Sequence, residues 1–505
     1  MGEAVPRTRA GDCPSSGAHH FGSLIHHLHR IQGSTDFSQN ELNGKGQFVK
    51  TCFALFGACM VLRTRLGPNR LAQSVRAGVL DEGCEKRGSL VRVCLVSDDL
   101  PPNCGGAPLR TFRHAHRLQT RQGVKSMLIA LDRRENGAGL DPLPPYVHPV
   151  KLRFRDADAA RSPKRPGRLL LHLGELVARL GGLFFRIRRE FDLLHVINAA
   201  SLFNLMTILF AKVLGKPVIL EMVSLGADDP LKLNERSTRP EDQLFPHRPL
   251  KYSLFLQADA YVSKSNALSD AYRQAGLPST KLFQIPSGVN AEQFKPPTQP
   301  EKHDTRCRLG LHEDKIIILF VGLINERKGV LDLLEALRKV AQLHSKAQLL
   351  MVGATLMADA AFLQAVQQYI AEWHLAERVH FVNKHVDNVA DYMRASDIFC
   401  LPTKREGFSM VIIEAMASGL PVVASRLEGV TTGVIRSDRE GKLVPEGDAS
   451  KLADALIELI GAPTLRVRIG RAARERVLSE FTDEIVDAQY LQLYRRVLSN
   501  GRAGS

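Results

Sequence analysis

Residues 397–425 read DIFCLPTKREGFSMVIIEAMASGLPVVAS, and the fold is decided in this run. Asp397 to Leu401 is a short apolar stretch that Pro402 stops, which reads as a strand buried on both faces. Ser409 is a good N-cap, Gly419 stands where a helix C-terminus wants a left-handed residue, and Pro421 blocks continuation. The spacing therefore predicts a helix from Met410 to Ser418. Val422 to Ala424 begins the next strand. A strand, loop, helix, strand unit builds a parallel sheet, and open α/β sheets bind ligands beyond the carboxyl ends of their strands, where the Glu406 loop lies. The amides of Gly407, Phe408 and Ser409 crowd a helix start that favours negative charge. Glu414 follows on the second turn, so one ligand of nucleotide-sugar size is expected to touch both carboxylates.

The same alternation extends in both directions. Leu90 to Ser97, Phe191 to Val196, Val218 to Met222, Ala260 to Ser263 and Lys281 to Ile285 read as strands, as do Ile316 to Val321 and Gln348 to Val352 further on. Gly105 and Gly106 follow the first strand and open a helix through Leu118, where a Rossmann-like domain brings its backbone close to a ligand. That loop lacks Gly-x-Gly-x-x-Gly, which argues against a dehydrogenase. Residues 295–304, KPPTQPEKHD, read as a proline-rich, semi-rigid linker. The last helix, Asp483 to Leu498, is expected to pack Ile485, Ala488, Leu491, Tyr494 and Leu498 on one face.

A chain of 505 residues exceeds what one core usually serves, and 44% apolar with 24% charged residues is an ordinary globular balance. The eight cysteines show no paired metal spacing, so a reducing compartment without structural zinc is expected. The best apolar run, Thr51 to Leu62, is shorter than the roughly 20 residues needed to span a bilayer. Residues 1–88 read as a poorly ordered extension whose clustered histidines (19, 20, 26, 27 and 29) lack a cysteine or carboxylate at ligand spacing. Asp156-Ala-Asp158 has the form of a metal-binding Asp-x-Asp, but no apolar strand precedes it and its surroundings are cationic, so no metal site is expected there.

The net charge of +15 is unevenly spread, and between residues 151 and 189 Lys151, Arg153, Arg155, Arg161, Lys164, Arg165 and Arg168 lead into an apolar helix closed by Arg186, Arg188 and Arg189. Two readings stay open: a peripheral contact with anionic membrane, or a scaffold helix packed on the sheet. One tryptophan, 6% aromatics and no aromatic-interleaved basic surface argue against nucleic acid.

Glu406 to Ala424 resembles the signature of the retaining GT-B-type nucleotide-sugar glycosyltransferases (glycosyltransferase family 4, group 1, the bacterial glycan-assembly type). There Glu, seven residues and Glu precede Ala-Met-Ala-x-Gly-x-Pro-Val-Val-Ala. Phe320-Val321-Gly322 with Glu326-Arg327-Lys328-Gly329 is similar to that family's phosphate loop, and Ser287-Gly288-Val289-Asn290, Val352-Gly353 and Tyr392 to Asp397 fall in the family's order. The resemblance runs from about Leu90 onward. It implies a GT-B α/β fold, two Rossmann-like domains whose parallel sheets face each other across a cleft: an acceptor domain over 89–296, a donor-nucleotide domain over 297–481, and a helix over 482–505 crossing back.

The implied activity is transfer of a hexosyl group from a nucleotide-diphosphate sugar to a hydroxyl of a glycan, a lipid-linked saccharide or a small molecule. It would proceed with retention, without metal or cofactor, in the cytoplasm or peripherally on the cytoplasmic face of a membrane. Lys328 and Glu406 take the catalytic places. Gly322, Arg327, Gly407, Phe408, Ser409 and Glu414, with Gly105 and Gly106 across the cleft, take the donor-binding ones. The chain departs from the pattern at Leu323, where the family has Arg, with Arg327 as the candidate substitute, and in Glu221 to Asp229, which lacks the family's His. Glu221, Asp228 and Asp229 are the candidate acceptor contacts. A GT-B-type nucleotide-sugar epimerase and a non-catalytic sugar-nucleotide-binding relative are the alternative readings.

Overall fold

The structure, a computed structural model, describes residues 90–503 except for 101–105, 121–122, 133–142, 152–165, 199–200, 224–251, 253 and 357–358. The expectations placed on residues 1–88, on the Asp-x-Asp at 156–158 and on most of the basic run lie outside the described residues.

Two fully parallel sheets form the described chain. The first has the order β3-β2-β1-β4-β5-β6-β7, built from β1 (Val91–Ser97), β2 (Val124–Leu131), β3 (Val147–Val150), β4 (Leu193–Ile197), β5 (Val218–Met222), β6 (Ala260–Ser263) and β7 (Leu282–Gln284). The second has the order β10-β9-β8-β11-β12-β13, from β8 (Ile316–Val321), β9 (Ala347–Val352), β10 (Val379–Val382), β11 (Ile398–Leu401), β12 (Val422–Ser425) and β13 (Lys442–Val444). Helices on both faces bury both sides of the central strands, which is why β8 can read Ile-Ile-Ile-Leu-Phe-Val without a polar residue. Strand order reverses between β1 and β4 and again between β8 and β11, and at such switch points the loops splay apart and leave a crevice. The expected α/β class with two Rossmann-like sheets is thus observed.

Two sequence expectations are corrected. The linker is shorter than read, because Thr298 caps a helix over Gln299–Leu309: its hydroxyl accepts from Glu301 N, and the Glu301 carboxylate accepts from Thr298 N at 2.7 Å. This capping box, with Pro300 in the first turn, was readable as a helix start. Arg306 and Lys302 on this helix both clamp Asp397, at 2.7 and 2.6 Å, and Asp397 also accepts from Ile317 N, so the helix is fixed to the starts of β8 and β11.

The terminal helix spans Asp483–Ala503, and its buried stripe is Val486, Asp487, Tyr490, Leu493, Tyr494 and Val497, whereas Ala488 faces solvent. Of the expected face Tyr494 is buried and Ile485, Leu491 and Leu498 are partly so, while Asp487 and Tyr490 went unread in the buried stripe because they carry polar groups. Val486, Tyr490, Leu493, Tyr494 and Val497 pack on the core of the first sheet, with Val93, Leu95 and Ile219. The chain therefore crosses between the lobes twice, and the crossings lie side by side: Val289 N donates to Phe481 O at 2.9 Å and Asp483 N to Val289 O at 3.0 Å.

The helix Pro166–Ile187 buries Leu176, Leu180, Phe184 and Ile187, with the Phe184 ring 5.8 Å from Phe210 and 5.9 Å from Phe191, so it packs as a scaffold helix on one side. Phe185 and Arg186 on its other side, and Arg189 in the turn that follows, remain exposed. No helix among the described residues is long and apolar enough to cross a membrane.

Candidate functional site

The loop after β11 leads into a helix over Met410–Ala417, close to the expected bounds. It ends as read: Gly419 takes φ +73, its N–H bonds Met416 O, and Leu420 N bonds Ala415 O, the double closure of a left-handed helix stop. Its start differs from expectation. Ser409 holds the N-cap position in extended conformation, yet its hydroxyl makes no cap bond. That hydroxyl is buried and has no hydrogen-bond partner among the described residues. Gly407, Phe408 and Ser409 thus bring backbone amides to a helix start with an orphaned hydroxyl beside them, a local demand for an oxygen-rich ligand.

The loop after β8 is pressed against this one. Gly329 has φ +68, and a Cβ there would run into the Pro402 carbonyl. Gly353, after β9, approaches Gly322 O just as closely, which accounts for a glycine at that place. Between them a short 3₁₀ turn over Glu326–Lys328 aims two cations at the β11 loop. Lys328 Nζ lies 2.5 Å from Glu406 Oε1, Arg327 Nη1 lies 3.3 Å from the same oxygen, and Thr403 Oγ1 donates to it at 3.0 Å. Arg327 also donates to Arg405 O at 2.7 Å. The guanidinium of Arg327, the candidate substitute for the cation absent at Leu323, therefore joins this cluster.

Glu414 lies away from that cluster, buried on the second turn of the helix. Burial pushes its carboxyl up to about 7, with Arg113 pulling the other way. It lines a cavity of about 380 Å³ between the lobes, shared with Met410 from its own helix and with Arg110, Arg113, Glu221 and Lys264 from the opposite wall. Arg110 and Arg113 come from the helix Gly106–Thr120, whose first residue is the second glycine of the expected double-glycine loop. Gly105, Asp228 and Asp229 lie outside the described residues.

Glu221 borders this cavity but is not open for an acceptor. Arg110 Nη2 holds one carboxylate oxygen at 2.6 Å; Lys264 Nζ at 3.2 Å and the Tyr490 hydroxyl hold the other. Burial opposes its charge, but Lys264, Arg110 and His195 overcome that and keep the carboxyl well below the usual range. The network runs on through His195 and Tyr494 (2.9 Å), His114 and Tyr494 (3.3 Å), and His114 and Asp487 (3.1 Å) to Arg117, so it bolts the terminal helix to the first sheet. Burial pulls His114 down to about 4, and burial lifts Asp483, beside Arg117, to about 6.

Sequence reasoning took no residue from Arg110, Lys264, Ser265 or Tyr490. Lys264 and Ser265 directly follow β6, at the same sheet end as the other ligand-facing loops, and position alone marked them. Ser265 Oγ donates to Gly407 O at 2.8 Å, reaching from the first lobe to the residue after Glu406.

Residues 301–476 match the model of the family described as glycosyl transferases group 1. N-acetyl-alpha-D-glucosaminyl L-malate synthase of Bacillus anthracis is 32% identical over 49% of this chain and 62% of its own length. Phosphatidyl-myo-inositol mannosyltransferase of Mycobacterium leprae (strain TN) is 35% identical over 46% of this chain and 59% of its own. The alignment thus spans about 60% of the length of these curated relatives. A crystal structure of Anabaena Alr3699/HepE in complex with UDP-glucose superposes with a TM-score of 0.63 at 18% identity, covering 81% of this chain and 99% of that one. The superposition establishes the GT-B architecture, and the similarity to the group 1 glycosyl transferases covers residues 301–476, which hold the second sheet.

Proposed function

We propose that this relative of the group 1 glycosyl transferases moves a sugar from a nucleotide-diphosphate donor to a hydroxyl acceptor, with retention of configuration and without a metal ion. The observation that carries the reading is the ion pair of Lys328 with Glu406 beside a helix start whose Ser409 hydroxyl is buried and unpartnered. A lysine ammonium has three donors, so Lys328 can hold Glu406 and still meet a diphosphate oxygen. Arg327 adds a second cation at the place where negative charge grows as the leaving group departs.

Glu406 and the amides of Gly407 to Ser409 grip the transferred sugar, and the ribose hydroxyls donate to Glu414. The anomeric carbon breaks its bond to the diphosphate oxygen while the acceptor oxygen bonds it on the same face. The acceptor proton passes to the departing phosphate oxygen. Arg110 and Arg113 form the acceptor-side wall together with the described end of β5. The names of the two relatives speak of glucosaminyl and mannosyl groups, and the Anabaena structure holds UDP-glucose, which supports a sugar-nucleotide donor.

A thermal-shift panel of nucleotides and nucleotide sugars tests the reading, since a ligand that binds the folded state raises the midpoint by mass action. A selective shift by one base is expected, and no shift by any of them refutes the donor site. Proton NMR of the product then reads the anomeric configuration, and transfer in the presence of EDTA tests metal independence. The exposed Phe185, Arg186 and Arg189 further suit peripheral contact with anionic lipid, to be read by co-sedimentation with anionic against neutral vesicles.

A further inference from the structure

The helix over Asn266–Gln274, which follows β6 in the first lobe, touches two loops of the second lobe with its N-terminus. Ser265 is its N-cap: the hydroxyl accepts from Leu268 N at 3.4 Å and donates to Gly407 O at 2.8 Å. Two residues on, Ala267 N donates to Gly429 O at 3.3 Å in the loop after β12. Gly429 has φ +68, and a Cβ there would lie 2.7 Å from Ala267 N, so the backbones meet directly. Ser265 is only 4% exposed, and its bond to Gly407 is shielded from water.

A trans peptide is planar, with its C=O and N–H pointing in opposite directions. The bond from Ser265 to the Gly407 carbonyl therefore aims the N–H of Phe408, which belongs to the same peptide group, away from the first lobe's helix. That N–H is one of the three amides at the start of the helix Met410–Ala417, next to the unpartnered Ser409 hydroxyl. Glu406 is one residue upstream and is fixed from the other side by Lys328. The sugar-gripping loop is thus held at one end by its own lobe and at the other by the opposite lobe.

We propose that Ser265 is a positioning residue: its hydroxyl orients the 407–408 peptide for the transferred sugar, and does so only while the lobes are in contact, coupling cleft closure to assembly of the sugar site. This rests on the donor reading above. Opening the cleft releases the Gly407 carbonyl, lets the peptide rotate, and takes one donor away from the sugar. A donor bound in the open cleft is then held by its nucleotide but is poorly placed to react, which limits loss of sugar to water.

The test uses the full-length protein and three substitutions. Ser265→Ala removes both the cap and the interlobe bond, and Ser265→Asp keeps a cap acceptor but has no proton for the Gly407 carbonyl. Ser265→Thr keeps both and serves as the rescue. Amide hydrogen exchange over residues 403–410 is followed with UDP-glucose and GDP-mannose as probes, beside transfer, donor hydrolysis and the unfolding midpoint.

In Ser265→Ala and Ser265→Asp, exchange at 407–410 is expected to quicken at least fivefold. Their kcat should fall about tenfold with the donor KM within twofold, and the ratio of hydrolysis to transfer should rise; Thr should restore all three. Wild-type exchange and kcat in Ser265→Asp, with losses in Ser265→Ala that follow its midpoint, would reduce Ser265 to a helix cap and overturn the proposal. If the wild-type protein turns over no nucleotide sugar, the donor reading falls, while the exchange of 407–410 alone still decides whether Ser265 holds the loop.

Discussion

Lys328 Nζ sits 2.5 Å from Glu406 Oε1, and each of the two side chains is only 11% exposed. The pair joins the loop after β8 to the loop after β11. Removing Glu406 strands Lys328 in a poorly hydrated place, which costs more than the pair contributed, whereas removing Lys328 leaves Glu406 to Arg327 and Thr403. Lys328→Ala and Glu406→Ala are each expected to lower transfer at least 100-fold, the usual scale for losing one group that stabilises developing charge. Each should also lower the unfolding free energy by about 1–3 kcal/mol, given the residual exposure. In urea titrations the double variant should lose less than the sum of the two, since neither Lys328 nor Glu406 then remains without the other. Additive losses would show that the contact carries no energy.

Gly329 is expected to tolerate no side chain. Gly329→Ala meets both a left-handed backbone and the Pro402 carbonyl, so it should lower stability by more than about 2 kcal/mol and pull Lys328 off Glu406. Gly215 has a similar φ of +67 but open space around it, and Gly215→Ala should cost only about 1 kcal/mol with activity intact. Equal effects at the two positions, read by denaturant midpoint and initial rate, would mean that the loop contact is unimportant.

Glu414 ties stability to pH. Its carboxyl is raised from 4.5 to about 7, so the folded protein binds the proton more tightly than the unfolded chain. Its share of stability is whole below pH 4.5 and declines as pH rises to 7. Glu414→Gln should therefore gain up to roughly 3 kcal/mol at pH 8, the equivalent of that displacement, while weakening nucleotide binding. Ribose hydroxyls prefer the ionised carboxylate, so nucleotide binding to the wild type near pH 6.5 should release a proton. Calorimetry in buffers of different ionisation enthalpy detects this, and a heat independent of buffer would argue against ribose at Glu414.

His114 works in the opposite sense. Burial lowers it from 6.5 to about 4, so the unfolded chain takes up the proton first and stability rises with pH between 4 and 6.5. Over most of that range Glu414 and His114 oppose each other. The wild-type curve of stability against pH should be shallow there, and Glu414→Gln should expose a steeper rise. A variant curve parallel to the wild type would show that Glu414 titrates normally.

Glu221 anchors three partners, and its loss is expected to be the most damaging single change on the first lobe's wall. Glu221→Ala leaves Arg110 and Lys264 facing each other without a counter-charge, so stability should fall by about 3 kcal/mol or more. Lys264→Met should cost less, because Arg110 still holds the carboxylate. The order of the two unfolding midpoints checks this.

How much was legible follows from how far each signal acts. β5, β6 and β8 were read to the residue, because a strand buried on both faces is apolar over most of its length: β8 is wholly so, and β5 and β6 are interrupted only by Glu221 and Ser263. β3 and β13, of four and three residues at sheet edges, left no such run and went unread. The helix after β11 was legible from its stop, whereas Ser409 was assigned a capping bond that it does not make. Cap propensity describes a free helix start, and here the hydroxyl is buried without a partner among the described residues.

By itself the sequence determined the two parallel sheets, the Glu406 and Glu414 helix and the Lys328 loop, since periodicity, turn residues and motif spacing act over a few residues each. Only the tertiary structure decided which of these groups meet. It brought Lys328, Arg327 and Thr403 onto one oxygen of Glu406, closed Glu221 inside Arg110, Lys264 and Tyr490, and set Ser265 against Gly407 across the lobes. Those partners are separated by up to 269 residues along the chain, as in Tyr490 and Glu221. Contacts of that range arise from packing two sheets and a returning helix, and packing leaves no local mark on the order of the residues.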